Sequence, residues 1–115
     1  HKGLGLMKGD VKLLPKYNKN FFKIPNIGWH KLHLSPNKAD LFNFLKYINP
    51  KDRFYFVHSY YFNASNSDNI LATTNYNQPF PSALIKNNII GTQFHPEKSQ
   101  RSGVEFIKKF LMWKP

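Results

Sequence analysis

The feature that most limits how this chain can fold is an aromatic run near its middle, from Phe54 to Phe62. Every residue of the run is apolar or aromatic except His58 and Ser59. Successive side chains of a strand point to opposite faces, so a run that is apolar on both faces predicts a strand covered on both sides, in the middle of a sheet. His58 is then either a hydrogen-bonded core residue or a functional group, and the pattern leaves both open.

Shorter apolar segments on either side of this run predict further strands. Two precede it, at 11–14 and 29–34, and three follow it, at 70–74, 82–85 and 89–94. Gly9-Asp10 and 25–28 are typical of turns, and residues 75–81 are expected to connect two strands. The connector at 86–88 is short enough for a hairpin, so we expect the last two strands to pair antiparallel.

Two segments have the apolar spacing of amphipathic helices. The first runs from the capping residues 35–40 to Asn49. The second runs from about Ser99 to Met112, and its stripe of Val104, Ile107, Phe110 and Leu111 is expected to pack against the sheet. Strands followed by helices indicate an α/β fold in one small domain, residues 1–115.

The composition suits a packed core but leaves a large positive charge to explain. Hydrophobic residues make up 41% of the chain and aromatic residues 17%, while the net charge is +11. The charge is typical either of a nucleic-acid binder or of a lysine-rich coding background. The lysines are scattered singly, which favours the background. No apolar run has the length of a membrane span and no signal peptide is visible, so we expect a cytoplasmic protein.

The candidate chemistry lies at His95-Pro96-Glu97, between the last strand and the closing helix. Loops at the carboxyl ends of strands are where α/β folds usually bind ligands. A carboxylate beside a histidine can fix the tautomer of the ring and stabilise the imidazolium that forms when the ring accepts a proton. The spacing therefore predicts an acid–base pair, with a capped turn as the structural alternative.

We expect no metal and no cofactor. His30 and His33 fall on opposite faces of their predicted strand, so they cannot chelate one ion, and we expect both side chains to be exposed. His95 and Glu97 supply two ligands, which is too few for zinc. No glycine-rich phosphate loop is present, because Gly3-Leu4-Gly5-Leu6 lacks a third glycine and a preceding strand.

The sequence around His95 is far more specific than the spacing of His95 and Glu97. Thr92-Gln93-Phe94-His95-Pro96-Glu97-Lys98-Ser99 resembles the C-terminal signature of class I glutamine amidotransferases, and within them the glutaminase subunits of imidazole glycerol phosphate synthases. Further matching segments occur in the same order along most of the chain: Gly3–Leu6, Pro25–Trp29, Phe56–Tyr61, Ala72–Thr74 and the closing helix.

The resemblance implies a flavodoxin-like, three-layer α/β domain of which this chain is the C-terminal part, with several antiparallel strands. It implies that His95 and Glu97 are catalytic and that Ser59 and Tyr60 bind the substrate glutamine. It also implies that Trp29 and Lys98 face a (β/α)₈-barrel synthase subunit, which uses the ammonia in histidine biosynthesis. The family's nucleophile is a cysteine upstream of Gly3, and the chain has no cysteine, so we expect it to be inactive alone.

Two alternatives remain open from the residues. The first is a paralogous amidotransferase that supplies ammonia to nucleotide-sugar or surface-polysaccharide biosynthesis, whose residues would look nearly the same. The second is a small basic module that binds single-stranded nucleic acid, although nucleic acid is not the partner we expect. The second predicts Phe and Tyr side chains exposed on a sheet face among lysines, whereas the amidotransferase interpretation predicts them buried.

Overall fold

A computed structural model describes residues 7–14, 25–35, 51–76 and 78–112. Its strands and helices, in chain order, are β1 (Gly9–Leu13), β2 (Asn26–Lys31), β3 (His33–Leu34), β4 (Arg53–His58), β5 (Tyr60–Ala64), a 3₁₀ turn (Ser67–Asn69), β6 (Ile70–Tyr76), β7 (Gln78–Lys86), β8 (Ile89–Thr92), a second 3₁₀ turn (Pro96–Lys98) and α1 (Gln100–Met112). The helix predicted at 35–49 lies almost wholly outside the described residues.

The described strands form three antiparallel sheets. The largest has four strands in the order β3-β6-β7-β8, and two smaller sheets pair β2 with β4 and β1 with β5. The hydroxyl of Thr74 on β6 donates to the carbonyl oxygen of Lys31 on β2 at 3.0 Å, which ties the β2–β4 sheet to the large one. No helix among the described residues is long and apolar enough to cross a membrane.

The three strands predicted after the aromatic run are confirmed, and so is the hairpin that joins the last two. β7 pairs with β8 from Ala83↔Thr92 to Lys86↔Ile89. Asn87 in the turn adopts a φ of 55°, a left-handed conformation that asparagine tolerates better than most residues. The connector predicted at 75–81 is wrong, because β6 continues to Tyr76 and β7 already begins at Gln78.

The first two strands begin earlier than the sequence predicts. Gly9 and Asp10, expected in a turn, are the first residues of β1 and pair with Ala64 and Asn63. β2 begins at Asn26, inside the turn expected at 25–28. The single strand expected at 29–34 is interrupted at Leu32, and His33–Leu34 pair with β6 in the large sheet. Partner strands therefore override the local glycine signals here.

The aromatic run is two strands in two different sheets, so its prediction as one strand buried on both faces is wrong. β4 pairs with β2 and ends at His58; after Ser59 the chain continues as β5, which pairs with β1. Along β4 only alternate side chains are buried, those of Phe54, Phe56 and His58. The single-face burial arises because β4 carries the core on one side only.

Five phenylalanines make the centre of the core. They are Phe54, Phe56, Phe80, Phe94 and Phe106, all of them buried. The rings of Phe54 and Phe94 have centroids 4.7 Å apart, and those of Phe94 and Phe106 are 5.3 Å apart with their planes almost perpendicular. Burial of each such ring contributes on the order of 2 kcal/mol. Their burial contradicts the main expectation of the nucleic-acid alternative.

The closing helix is present as predicted, but the face that it buries is different. α1 buries Gly103 and Phe106, whereas Val104 is 49% exposed and Leu111 is 76% exposed. The cause is a close approach at Gly103, where an added methyl group would overlap the carbonyl of Pro96. This contact fixes the rotation of the helix, so that Phe106, three residues on along the same face, enters the core.

Replacement of Gly103 by alanine should therefore destabilise the protein. Alanine in a helix interior normally gains about 1 kcal/mol over glycine. Here the methyl group has to displace the Pro96 carbonyl, and overpacking of this kind costs typically 1–3 kcal/mol. We expect a lower urea midpoint for Gly103→Ala, and little change for the neighbouring control Ser102→Ala. A gain in stability for Gly103→Ala would refute the close approach.

Candidate functional site

The candidate site is the turn between β8 and α1, which leaves the core at Phe94. Phe94 is anchored between the rings of Phe54 and Phe106, and the chain then emerges at His95. Two hydrogen bonds hold the segment that leads into the turn. The hydroxyl of Thr92 donates to the Phe94 carbonyl at 3.0 Å, and the amide of Gln93 donates to the Ser82 carbonyl at 2.9 Å. A buried residue directly before the turn fixes where the turn begins.

His95 and Glu97 form the pair that the sequence predicts. His95 Nδ1 lies 2.8 Å from Glu97 Oε1, and the two side chains are 38% and 60% exposed. An ionised carboxylate can only accept, so Nδ1 donates and the neutral ring keeps its lone pair on Nε2. The arrangement leaves one imidazole nitrogen able to take up a proton, and it places a negative charge where it would stabilise the imidazolium.

The environment favours the ionised form of Glu97. Its own backbone N–H, and then the His95 ring, hold the pKa of the Glu97 carboxyl below its usual value of 4.5. A carboxyl whose pKa is lowered by folding contributes stability above its unfolded value, and that stability is lost as the pH falls through the folded value. The pair is therefore intact at neutral pH and is lost only in acid.

Ser99 and Tyr55 hold this turn in place, and the sequence did not predict either role. The amide of His95 donates to the Tyr55 carbonyl at 2.9 Å. The Tyr55 amide donates to Ser99 Oγ at 2.9 Å, and Ser99 Oγ donates to the His95 carbonyl at 2.7 Å. Ser99 is only 1% exposed. The three bonds close a ring that fixes the backbone of His95 against β4.

Trp29 and Lys98, the predicted interface residues, lie next to this ring. Trp29 is the partner of Tyr55 across the β2–β4 ladder, and the two ring centroids are 5.4 Å apart. The amide of Lys98 donates to the His95 carbonyl at 3.1 Å. Trp29 also lines a surface cavity of about 170 Å³ whose wall includes Lys31 and Arg53.

Ser59 and Tyr60, the predicted glutamine-binding residues, lie further along the same chain segment. Ser59 separates β4 from β5, and the Tyr60 side chain is 55% exposed. Hydrogen bonds and ring contacts of the described residues join His95, Lys98 and Trp29 to Tyr55 and its turn, and Glu97 to His95. The charge of His95 is also felt at His58, the residue before Ser59.

Comparison with known proteins identifies the family. The model of the family described as glutamine amidotransferase class-I matches residues 22–113. The chain belongs to the class I glutamine amidotransferase family. Its α/β architecture, with mostly antiparallel strands and a closing helix, fits part of the flavodoxin-like fold that the resemblance implied, and this prediction is confirmed.

Several curated relatives have the same name, imidazole glycerol phosphate synthase subunit HisH. The one from Brucella melitensis is 41% identical over 113 residues, which are 98% of this chain and 51% of the relative. The one from Acinetobacter baylyi is 39% identical over 110 residues, and the one from Caldanaerobacter subterraneus is 42% identical over 109. The amidotransferase chain spans about half the length of the curated relatives that it matches.

A second group of polar residues in the amidotransferase chain lies on the paired strands β2 and β4. His58, whose role the sequence left open, is buried and hydrogen-bonded to Asn26, which also binds His30. His30 was expected to be exposed, and this is wrong, because its ring packs on Phe56 and Tyr76. His33 is exposed as expected. The described residues contain no group of three or more possible metal ligands.

Ser99→Ala should loosen the His95 turn in the amidotransferase chain. The change removes two hydrogen bonds of the buried Ser99 hydroxyl and leaves the part-buried Tyr55 N–H without its partner, which costs about 1–3 kcal/mol. We expect a matching loss in urea unfolding and broadened NMR signals from the His95 imidazole. Ser102→Ala, at a half-buried serine in the first turn of the helix, serves as the control. Equal effects of the two changes would contradict the role given to Ser99.

Proposed function

We propose that this chain is the C-terminal half of a glutaminase subunit that releases ammonia from glutamine for a synthase partner in the cytoplasm. The observation that carries the proposal is the 2.8 Å bond from His95 to Glu97, in a turn fixed to β4 by Tyr55 and Ser99. The family of the chain supports it, as do the names of its relatives, which are about 40% identical.

In this reaction His95 acts first as a base and then as an acid. A cysteine thiol of the upstream half passes its proton to His95 Nε2, and the thiolate attacks the side-chain amide carbon of glutamine. His95 returns the proton to the departing nitrogen, which leaves as ammonia, and water then hydrolyses the acyl-enzyme to glutamate. Glu97 keeps the ring in the Nδ1–H tautomer and stabilises its charged form. Proton transfer by a positioned side chain, as by His95 here, contributes typically 10²–10⁴-fold to the rate.

Ser59 and Tyr60 are the proposed contacts for glutamine. The Ser59 carbonyl accepts from the Leu14 amide at 2.8 Å, and the Tyr60 carbonyl accepts from His58 Nδ1 at 2.9 Å. Since both carbonyls are engaged within the chain, we propose that the ligand is bound through the N–H groups of this segment and the Ser59 hydroxyl.

Trp29 and Lys98 are the proposed contacts for the synthase partner, a (β/α)₈ barrel. Trp29 is partly exposed and Lys98 is exposed. Both adjoin the hydrogen-bonded turn in which Tyr55, Ser99 and His95 are joined. The cavity beside Trp29 has cationic side chains, Lys31 and Arg53, in its wall. Charge complementarity then calls for carboxylates on the facing surface of the partner.

Turnover of the complete subunit tests the catalytic proposal. This chain, expressed in frame with the coding sequence that precedes it and purified with its synthase partner, should release glutamate from glutamine. We expect His95→Asn and Glu97→Gln to lower kcat at least about a hundredfold. Glu105→Gln is the matched control, because Glu105 is an exposed carboxylate of α1 that pairs with Lys108 at 3.9 Å. Near-normal turnover for His95→Asn, or no glutaminase activity in the complete protein, would refute the proposal.

Partner binding tests the interface proposal separately. We expect Trp29→Ala to weaken the affinity for the synthase subunit by at least about tenfold, as is usual for a central aromatic contact. Lys98→Ala should slow association and reduce its dependence on salt. Lys86→Ala, at an exposed lysine at the end of β7, is the control for a change of charge. Calorimetry and stopped-flow fluorescence measure both effects, and unchanged affinity for Trp29→Ala would place the interface elsewhere.

A further inference from the structure

Four groups on β2, β4 and β5 form a continuous chain of hydrogen bonds that ends at Tyr60, one of the two candidate glutamine contacts. His30 Nε2 lies 2.8 Å from Asn26 Oδ1, and Asn26 Nδ2 lies 3.0 Å from His58 Nε2. His58 Nδ1 then lies 2.9 Å from the carbonyl oxygen of Tyr60. Asn26 is fully buried and His58 is 9% exposed. The catalytic proposal above uses none of these three side chains.

Each bond in this chain has a fixed direction when the rings are neutral. The Tyr60 carbonyl can only accept, so His58 Nδ1 donates to it and His58 Nε2 accepts. Asn26 therefore presents its NH₂ group to His58 and its carbonyl to His30, and His30 must donate from Nε2. A proton added to His58 Nε2 would place two donors against each other. The bonds can then be restored only by rotation of the Asn26 amide and a change of tautomer at His30.

The carbonyl that His58 binds is that of Tyr60, which directly follows Ser59. At this point the chain passes from the sheet of β4 to the sheet of β5. Two successive carbonyls are held there from different elements. The Leu14 amide binds that of Ser59, and His58 binds that of Tyr60. Because successive peptides of a strand point in opposite directions, the two bonds together fix the rotation of the peptides on both sides of Tyr60.

We propose that Asn26 and His58 are positioning residues that hold the Tyr60 peptide in one orientation, through bonds whose directions are set by neutral imidazole rings. The inference rests on the proposed function in one respect, since Ser59 and Tyr60 are its candidate contacts for glutamine. Protonation of His58 at Nε2 would leave its Nδ1–H on the Tyr60 carbonyl as a charged, stronger donor and would break the bond from Asn26.

The surroundings of both rings oppose a positive charge. The His58 ring lies 5.0 Å from the ring of Phe80 and 5.7 Å from that of Phe56. Burial lowers the pKa of His58, aided by the charges of His30 and His95 and opposed by the bond to the Tyr60 carbonyl. Burial and the nearby Arg53 also lower the pKa of His30. Among the described residues no carboxylate forms an ion pair with either ring.

The sign of the pH dependence follows from this lowering. A histidine whose folded pKa is below its unfolded value of about 6.5 contributes stability above that value. The contribution is lost as the pH falls through the folded value, because the unfolded chain takes up the proton first. Loss of the bond from Asn26 to His58, and the change that it brings at the Tyr60 carbonyl, therefore belong to pH values below about 6.5.

NMR titration of the 115-residue chain tests the proposal directly. With ¹⁵N-labelled histidine and a ¹³C label at the Tyr60 carbonyl, we expect a His58 Nδ1–H and a His30 Nε2–H tautomer at pH 8. Between pH 8 and 5 the Tyr60 carbonyl signal should move with the same midpoint as protonation of His58, below 6.5. Asn26→Asp replaces the amide donor with a carboxylate, so the shared midpoint should rise by about one pH unit or more. Asn88→Asp adds the same charge in the exposed β7–β8 turn and should leave it unchanged.

A Tyr60 carbonyl signal that does not follow His58 would overturn the proposal, and so would equal midpoints in the two variants. If Asn26→Asp fails to fold, the titration of the wild-type chain decides alone. The role of glutamine is read out separately, from the effect of added glutamine on the Ser59 and Tyr60 amide signals of the complete subunit. A shared titration without a response to glutamine would uphold the positioning and count against the proposed glutamine contacts.

Discussion

The candidate site depends on how Tyr55 uses its backbone. In an antiparallel ladder, residues alternate between pairs that exchange two hydrogen bonds and pairs that exchange none. Trp29 and Tyr55 are opposite each other, yet the amide and carbonyl of Tyr55 are bonded to Ser99 and His95, on the side away from β2. One residue of a core strand thus positions an imidazole through its main chain and an indole through its ring. The side chains proposed for catalysis and for partner contact share this single support.

The fold was predictable wherever local signals and tertiary packing agree. β6, β7, β8 and the closing helix follow from apolar spacing and from the short Lys86–Asn88 turn. The predictions that were wrong failed because tertiary packing, which local sequence does not show, decided the structure there. Alternation along 54–62 cannot reveal that Ser59 divides the run between two sheets. The apolar stripe of α1 is real in the sequence, but the close contact of Gly103 with Pro96 turns Phe106 inward instead.

The candidate site was predictable only in its shortest-range part. His95 and Glu97 are two residues apart, so their bond could be expected from the local sequence. The bond from Tyr55 to Ser99 spans 44 residues, and that from Asn26 to His58 spans 32. The types of these residues do not predict such distant partners. A serine before a helix, for example, usually caps it. Ser99 accepts from a strand instead, which becomes visible only once β4 and the turn are packed together.

The turn at His95 also changes what can happen along the outer edge of β4. An unpaired strand edge presents free amides and carbonyls, and these invite another strand to add to the sheet. At Tyr55 both groups are already taken by the turn. A segment that added along this edge would have to displace His95 and Ser99, and would break their hydrogen bonds in doing so. The turn that presents the imidazole therefore also blocks strand addition at the middle of β4.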